Sequence, residues 1–178
     1  MAPTNPQSKI ENRKSGAAVE ITSGSVEETQ ALGECLGGAL QPGDVVALSG
    51  ELGSGKTTFI QGLARGLGLD PQAVKSPTFV LMREYPGETP LVHVDGYRLE
   101  GPPSVSWLDL DLIFSPRKVT VIEWAERFGP LLPEPHLAVQ LSHVSANRRR
   151  LNFVLSGPRA DALAERLRSA GSNAHTGD

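Results

Sequence analysis

Residues Gly50-Glu51-Leu52-Gly53-Ser54-Gly55-Lys56-Thr57, followed by Thr58, fit the pattern G-x-x-x-x-G-K-[ST]. The spacing suits a phosphate chain. Glycines let successive backbone N–H groups turn inward around phosphate oxygens, and the helix that follows adds the partial positive charge of its N-terminus. In such a loop Leu52, Gly53, Ser54, Gly55 and Thr58 form the cradle. Lys56 is placed for the β- and γ-phosphates, and the Thr57 hydroxyl for Mg²⁺. A purely structural turn explains the glycines but not a Lys-Thr pair opening a helix. The chemistry also needs an acid at the end of another strand, to hold the metal directly or through water. Two acids qualify: Asp95, ending Leu91-Val92-His93-Val94, and Glu123, ending Val119-Thr120-Val121-Ile122.

The elements that must position these residues are legible on both sides of the loop. Ahead of it, Asp44 to Ser49 is short, apolar and β-branched, a buried strand. Behind it, Phe59, Ile60, Leu63, Ala64 and Leu67 recur at helical spacing, with Gly66 and Gly68 as stops. Upstream, Val19 and Ile21 alternate with polar neighbours as a first strand. Ser25-Val26-Glu27-Glu28 has the form of a capping box, which predicts a helix running to about Leu40 and ended by Pro42-Gly43. Downstream, Thr78 to Tyr85 and Leu91 to Asp95 read as a hairpin around Pro86-Gly87-Glu88. Trp107, Leu108, Leu110, Leu112 and Ile113 suggest a short helix capped by Ser104 or Ser106. Lys118 to Glu123 is a strand, residues 137–141 and 151–155 form a second hairpin, and Pro158 opens a last helix through Ala162, Leu163, Arg166 and Leu167. The order β-α-β-α-β-β-α-β-β-β-α mixes parallel crossovers with hairpins. It implies a three-layer α/β fold around a mixed parallel and antiparallel central sheet.

Length and composition set the frame. The 178 residues suit one domain large enough for its own core. We expect residues 1–17 and 170–178 to be disordered tails around a domain at 18–169. The net charge of −3 creates no global attraction for nucleic acid. Lone Cys35 has no internal disulfide partner, which suits a reducing cytosol, and it falls in a helical pattern with Leu32, Leu36 and Leu40 as a small packed hydrophobe. No apolar run approaches the ~20 residues of a membrane span, and residues 1–16 lack the apolar core of a secretory signal.

Four motifs occur in order: Gly-Glu-Leu-Gly-Ser-Gly-Lys-Thr-Thr at 50–58, Lys-Ser-Pro-Thr-Phe at 75–79, His-Val-Asp-Gly-Tyr-Arg-Leu at 93–99 and Ile-Glu-Trp at 122–124. Together they resemble the bacterial TsaE family, the ATPase component of tRNA threonylcarbamoyladenosine biosynthesis, over roughly Val19 to Leu155. The resemblance implies an ATPase with the P-loop NTPase fold, feeble alone and acting with two transferase-type partners, of the TsaD and TsaB kind. It implies Thr57 and Glu123 as Mg²⁺-associated positions and Asp95 as an acid needed for hydrolysis. It further implies Ser76-Pro77-Thr78 as a switch-like loop near the γ-phosphate, with Trp124 and Arg148 beside the nucleotide. Lys56, Asp95 and Glu123 are then the catalytic set. ATP and Mg²⁺ are the implied ligands, tRNA is met only indirectly, and the place of work is the cytoplasm.

The residues themselves leave alternatives at several positions. Tyr97 and Arg98 suit a partner surface, though a packed Tyr is equally plain. Trp124 suits a base stack or a core, and His93 a structural hydrogen bond. Arg148-Arg149-Arg150 alone reads as a solvated turn. The chain departs from the family pattern at Glu51 (usually Asp), Gly96 (usually Leu) and Asn147 (usually Gly). Gly96 removes an apolar side chain from its loop, whereas Asn147 tolerates the left-handed backbone that Gly would supply. Two other functions fit a P-loop: a small-molecule kinase, and a non-enzymatic ATP-gated assembly switch. Direct tRNA binding has little support in an acidic chain with few aromatics.

Overall fold

The computed structural model describes residues 16–77, 79–100 and 109–174. Strand β1 (Gly16–Ser23) leads into helix α1 (Val26–Gly37), strand β2 (Val45–Ser49) and helix α2 (Lys56–Gly66). The hairpin β3 (Met82–Tyr85) and β4 (Leu91–Asp95) follows, then the short helix α3 (Leu110–Ile113) and strand β5 (Val119–Glu123). A second hairpin, β6 (Leu137–His143) and β7 (Arg149–Ser156), precedes helix α4 (Ala160–Ala174). This is the element order expected from the sequence.

The strands form one seven-stranded sheet in the order β1-β7-β6-β2-β5-β4-β3. The centre, β6-β2-β5-β4, is parallel, while β1 with β7, β7 with β6, and β3 with β4 pair antiparallel. Central β2 and β5 are buried on both faces, which is why they read as near-continuous apolar runs. One face packs Val46, Leu48, Val121 and Val139 against Leu36, Phe59, Ile60, Leu63 and Leu167 of α1, α2 and α4. The other packs Val45, Ala47, Val92, Val94 and Ile122 under α3 and short 3-10 turns, through Ile113, Ala125 and Phe128. The chain is thus a three-layer α/β protein with a mixed central sheet. Burying each of the Val, Leu, Ile and Phe side chains among these contributes roughly 1.5–3 kcal/mol.

Helices α1 and α2 meet backbone to backbone. A Cβ added at Gly33 would lie 2.2 Å from the Phe59 carbonyl oxygen, and one at Gly62 only 1.9 Å from that of Gln30. Gly37 and Gly66 extend the same seam.

Several boundaries differ from expectation. The capping box forms, with the Glu28 N–H donating to Ser25 Oγ, but α1 ends at Gly37 with Gly38 as its cap. Leu40 is buried beyond the helix end, held by turn hydrogen bonds rather than helical ones. Residues 79–81 form a turn, not a strand: the Val80 and Leu81 N–H groups both donate to the Pro77 carbonyl, and Leu81 takes φ 64°. Phe79, apolar but 86% exposed, misled the pattern. The last helix starts after Pro158, at Ala160, and continues to Ala174. Strand β1 starts at Gly16, paired with Ser156. The described structure therefore extends into both segments expected as tails. Cys35 is half-buried rather than fully packed, its thiol on the Arg166 carbonyl. Asn147 does not use the left-handed region, since among the described residues only Leu81 and Trp124 do so without being glycine. Thr78 and the expected helix residues Trp107 and Leu108, with their caps Ser104 and Ser106, lie outside the described residues.

Candidate functional site

The loop from Gly50 to Gly55 joins the end of β2 to the start of α2. Gly50 has φ 140°, and a Cβ there would sit 2.2 Å from the Leu141 carbonyl oxygen, so only glycine fits against β6. Gly55 caps α2 with φ 101° and supplies no side-chain hydrogen bond. The first N–H groups of α2 therefore face the loop without a side-chain partner, an anion-binding arrangement. Ser54 Oγ is buried in the cradle with no partner.

Lys56 is almost fully buried. Its Nζ donates to the Gly50 and Glu51 carbonyls at 2.7 and 2.9 Å, and lies 4.2 Å from the centre of the Trp124 ring. Burial pushes the Lys56 pKa below its ordinary value, with the carboxylates of Glu123, Glu126 and Asp95 opposing that shift. Trp124 holds this place through a left-handed backbone at φ 57°, and Tyr97 packs on it with ring centres 5.2 Å apart.

The two strand-end acids stand side by side, because the parallel ladder pairs Asp95 of β4 with Glu123 of β5. Both are buried, at 2% and 4% exposure. Glu123 is on the strand next to β2, and its Oε1 accepts the Thr57 hydroxyl at 3.0 Å. The same oxygen lies 2.9 Å from His93 Nε2. Asp95 Oδ1 accepts the Tyr97 N–H at 2.9 Å, while Oδ2 accepts the Ser76 hydroxyl. Ser76, in the segment expected to act as a switch, is thus tied to the acid beside it.

Two cavities flank the loop and share Gly53, Gly55 and Thr58. One, of about 490 Å³, is lined by Leu52, Lys56, Thr57, Ser76, Phe79, Asp95, Tyr97, Glu123 and Trp124. The other, of about 340 Å³, lies between the start of α1 (Gly24 to Glu27 and Thr29) and the β6–β7 turn at Ala146, Asn147 and Arg149. Of the expected site residues, Leu52, Gly53, Gly55, Lys56, Thr57, Thr58, Asp95, Glu123 and Trp124 converge on the first cavity. Arg148 joins neither cavity and is exposed in the turn. Its neighbour Arg149 takes the place beside the loop, its guanidinium bonded to the Ser145, Ala146 and Arg148 carbonyls. Alternation along β7 decides which arginine faces inward, and the run of three hid it. The Gly24–Glu27 wall was also missed: its only sequence signal, the capping box, reads as a helix start. At Gly96 the Trp124 and Glu123 carbonyl oxygens approach to 3.0 and 3.2 Å of where a Cβ would be. The missing side chain leaves no void, because the turn carrying Trp124 fills it.

The arrangement fits a nucleotide with a hard divalent cation. Mg²⁺ takes one or two carboxylates and hydroxyls from the protein and completes its shell with phosphate oxygens and waters. Thr57 and Glu123 offer such oxygens at the mouth of an uncapped helix. No cluster of three or more His, Cys, Asp or Glu able to hold a metal occurs among the described residues.

The family model described as "Threonylcarbamoyl adenosine biosynthesis protein TsaE" matches residues 23–151. The tRNA threonylcarbamoyladenosine biosynthesis protein TsaE of Bacillus subtilis is 39% identical over 142 residues, 79% of this chain and 88% of that protein. The protein of the same name from Streptomyces coelicolor is 47% identical over 114 residues, 62% of this chain and 76% of its own. The crystal structure of Bacillus subtilis YdiB superposes with a TM-score of 0.72 at 32% identity, covering 88% of this chain and 98% of that one.

Proposed function

The chain belongs to the TsaE family, and from that membership and the geometry of the cleft we propose that it is an Mg²⁺-dependent ATPase. In this reading it supports formation of the threonylcarbamoyl group on adenosine 37 of tRNAs that read codons beginning with A. It acts in the cytoplasm with TsaD- and TsaB-type partner proteins and meets tRNA only through them. The observation that carries the reading is the Thr57–Glu123 pair, 3.0 Å apart at the N-terminus of the helix that Lys56 opens.

A triphosphate would be held along the loop within reach of Lys56, Asp95 and Glu123, and the smaller cavity of Gly24–Glu27 and Arg149 would take the base and ribose. Mg²⁺, if held by Thr57 and Glu123, would neutralise charge that develops on the phosphates. Lys56 exchanges its two carbonyl partners for phosphate oxygens, where an ammonium stabilises transferred charge. Thr57 and Glu123 direct oxygens at the cation. Asp95, beside Glu123 at the strand ends, orders the attacking water. Leu52, Phe79 and Tyr97 are exposed around the mouth of the larger cavity, beside Asp95 and Glu123. In this reading a partner seated on them would exclude water and complete the site, and the chain alone would hydrolyse ATP slowly.

The test is ATP hydrolysis by the purified chain with Mg²⁺, alone and with both partners, beside an Asp95→Ala control. Hydrolysis that depends on the partners and is lost in the control is expected. Steady turnover independent of partners would replace this reading with a stand-alone enzyme, such as a small-molecule kinase.

A further inference from the structure

We infer that His93 is the positioning residue that aims the Glu123 carboxylate at the metal; this rests on the Mg²⁺ reading of the site given above. Side-chain alternation along β4 puts Leu91, His93 and Asp95 on the face that α2 covers, and the register sets His93 opposite Val121, one pleat behind the Asp95–Glu123 pair. From there the ring reaches diagonally to Glu123, with Nε2 2.9 Å from Oε1. His93 has no exposed surface, so no water competes for this contact.

An ionised carboxylate only accepts hydrogen bonds, so the proton of this contact sits on Nε2. The opposite nitrogen, Nδ1, is buried with no partner. A ring kept merely to fill space would be better replaced by an apolar side chain, which leaves no orphaned acceptor. The feature that an apolar side chain lacks is the donor on Glu123. The Tyr85 ring, 6.5 Å from His93 centre to centre, backs the imidazole, and the Tyr85 hydroxyl is itself held by the Lys75 backbone.

Glu123 Oε1 thus has two donors of different character. Thr57 is on the helix that the phosphate loop opens. His93 is on the central sheet, outside that loop and helix. With Oε1 doubly occupied, Oε2 is the oxygen left for the cation or one of its waters. Hydrogen bonds of this kind, made to a metal ligand from behind, are worth about 10–100-fold in metal affinity.

The experiment is titration of the full chain with the fluorescent nucleotide mant-ADP, with and without Mg²⁺, in the native protein and in His93→Leu, His93→Gln and His93→Asn. The reading is the ratio of the two affinities. We expect Mg²⁺ to tighten binding to the native chain, and His93→Leu to lose about tenfold or more of that enhancement while its Mg²⁺-free affinity stays within about twofold. Gln carries an amide nitrogen close to the position of Nε2 and restores the enhancement. Asn, one carbon shorter, does not. The Gln–Asn contrast tests the donor's position even if the Leu variant folds poorly, since both amides are polar. The inference is overturned if His93→Leu keeps the native enhancement, or if Gln and Asn lose it equally. If the native chain shows no Mg²⁺ enhancement, the metal reading of the site fails and takes this inference with it.

Discussion

The two sides of the phosphate loop are built from different material. Toward Asp95 and Glu123 the working atoms are side chains at the ends of paired strands, both carboxylates hydrogen-bonded and almost without exposed surface. Toward the smaller cavity the wall consists of the turn before α1, the cap of that helix and the exposed β6–β7 turn. Chemistry that moves charge needs groups fixed to a fraction of an ångström, and strand ends in a parallel sheet supply that. Recognition of a base and sugar needs shape and a few polar atoms, which turns supply with less rigidity.

The sharpest break between the two sides comes from Lys56→Ala. It should abolish hydrolysis, by at least about a hundredfold, with the melting temperature little changed. Phosphate release in the presence of partners is the measurement, and normal turnover would sink the assignment of the whole larger cavity. Thr57→Ala and Glu123→Gln should come next, weakening the Mg²⁺ dependence of nucleotide binding by about 10–100-fold while Mg²⁺-free binding persists. On the turn side the effects should be smaller. Arg149→Ala should cost nucleotide affinity roughly tenfold or less, about the worth of one charge-assisted contact. Arg148→Ala, its side chain outside both cavities, should change it less than twofold. The reverse ranking in a direct binding titration would mean that the turn rearranges around the ligand.

The mildest test is pH. Lys56 must be protonated to meet phosphate, and its pKa lies below the ordinary 10.5. Nucleotide affinity should therefore fall as pH rises through that lowered value. The unfolded chain binds the proton more tightly there, so the stability of the free protein should rise over the same window. Opposite slopes of affinity and melting temperature, both flattened in Lys56→Ala, are the expected signature.

The same division explains what was legible in the sequence. Motifs on strand ends and at the start of α2 are covalently short and carry their chemistry in residue type, so Lys56, Thr57, Asp95 and Glu123 could be read directly. The element order could too, because the apolar runs of β2 and β5 and the helical spacing after Thr58 are strong. The Phe79–Leu81 segment could not, because an exposed apolar turn has the composition of a strand. Arg149 was masked by its neighbours: choosing among three arginines requires the β7 register. The His93–Glu123 contact joins residues 30 apart, across a parallel pairing that no local pattern specifies. Gly96 posed the opposite difficulty, since its missing side chain is compensated by a distant turn.

The glycine seam between α1 and α2 joins the two sides mechanically. Gly33 and Gly62 leave no space for a side chain, so neither helix can roll or slide without driving a carbonyl into the other's backbone. Helix α1 begins at the wall of the smaller cavity, and α2 begins at the phosphate loop. The pair is a caliper with its jaws locked. In the proposed reading, the span it would offer a nucleotide, from base to first phosphate, is set by contact between main chains rather than by side-chain packing elsewhere in the core.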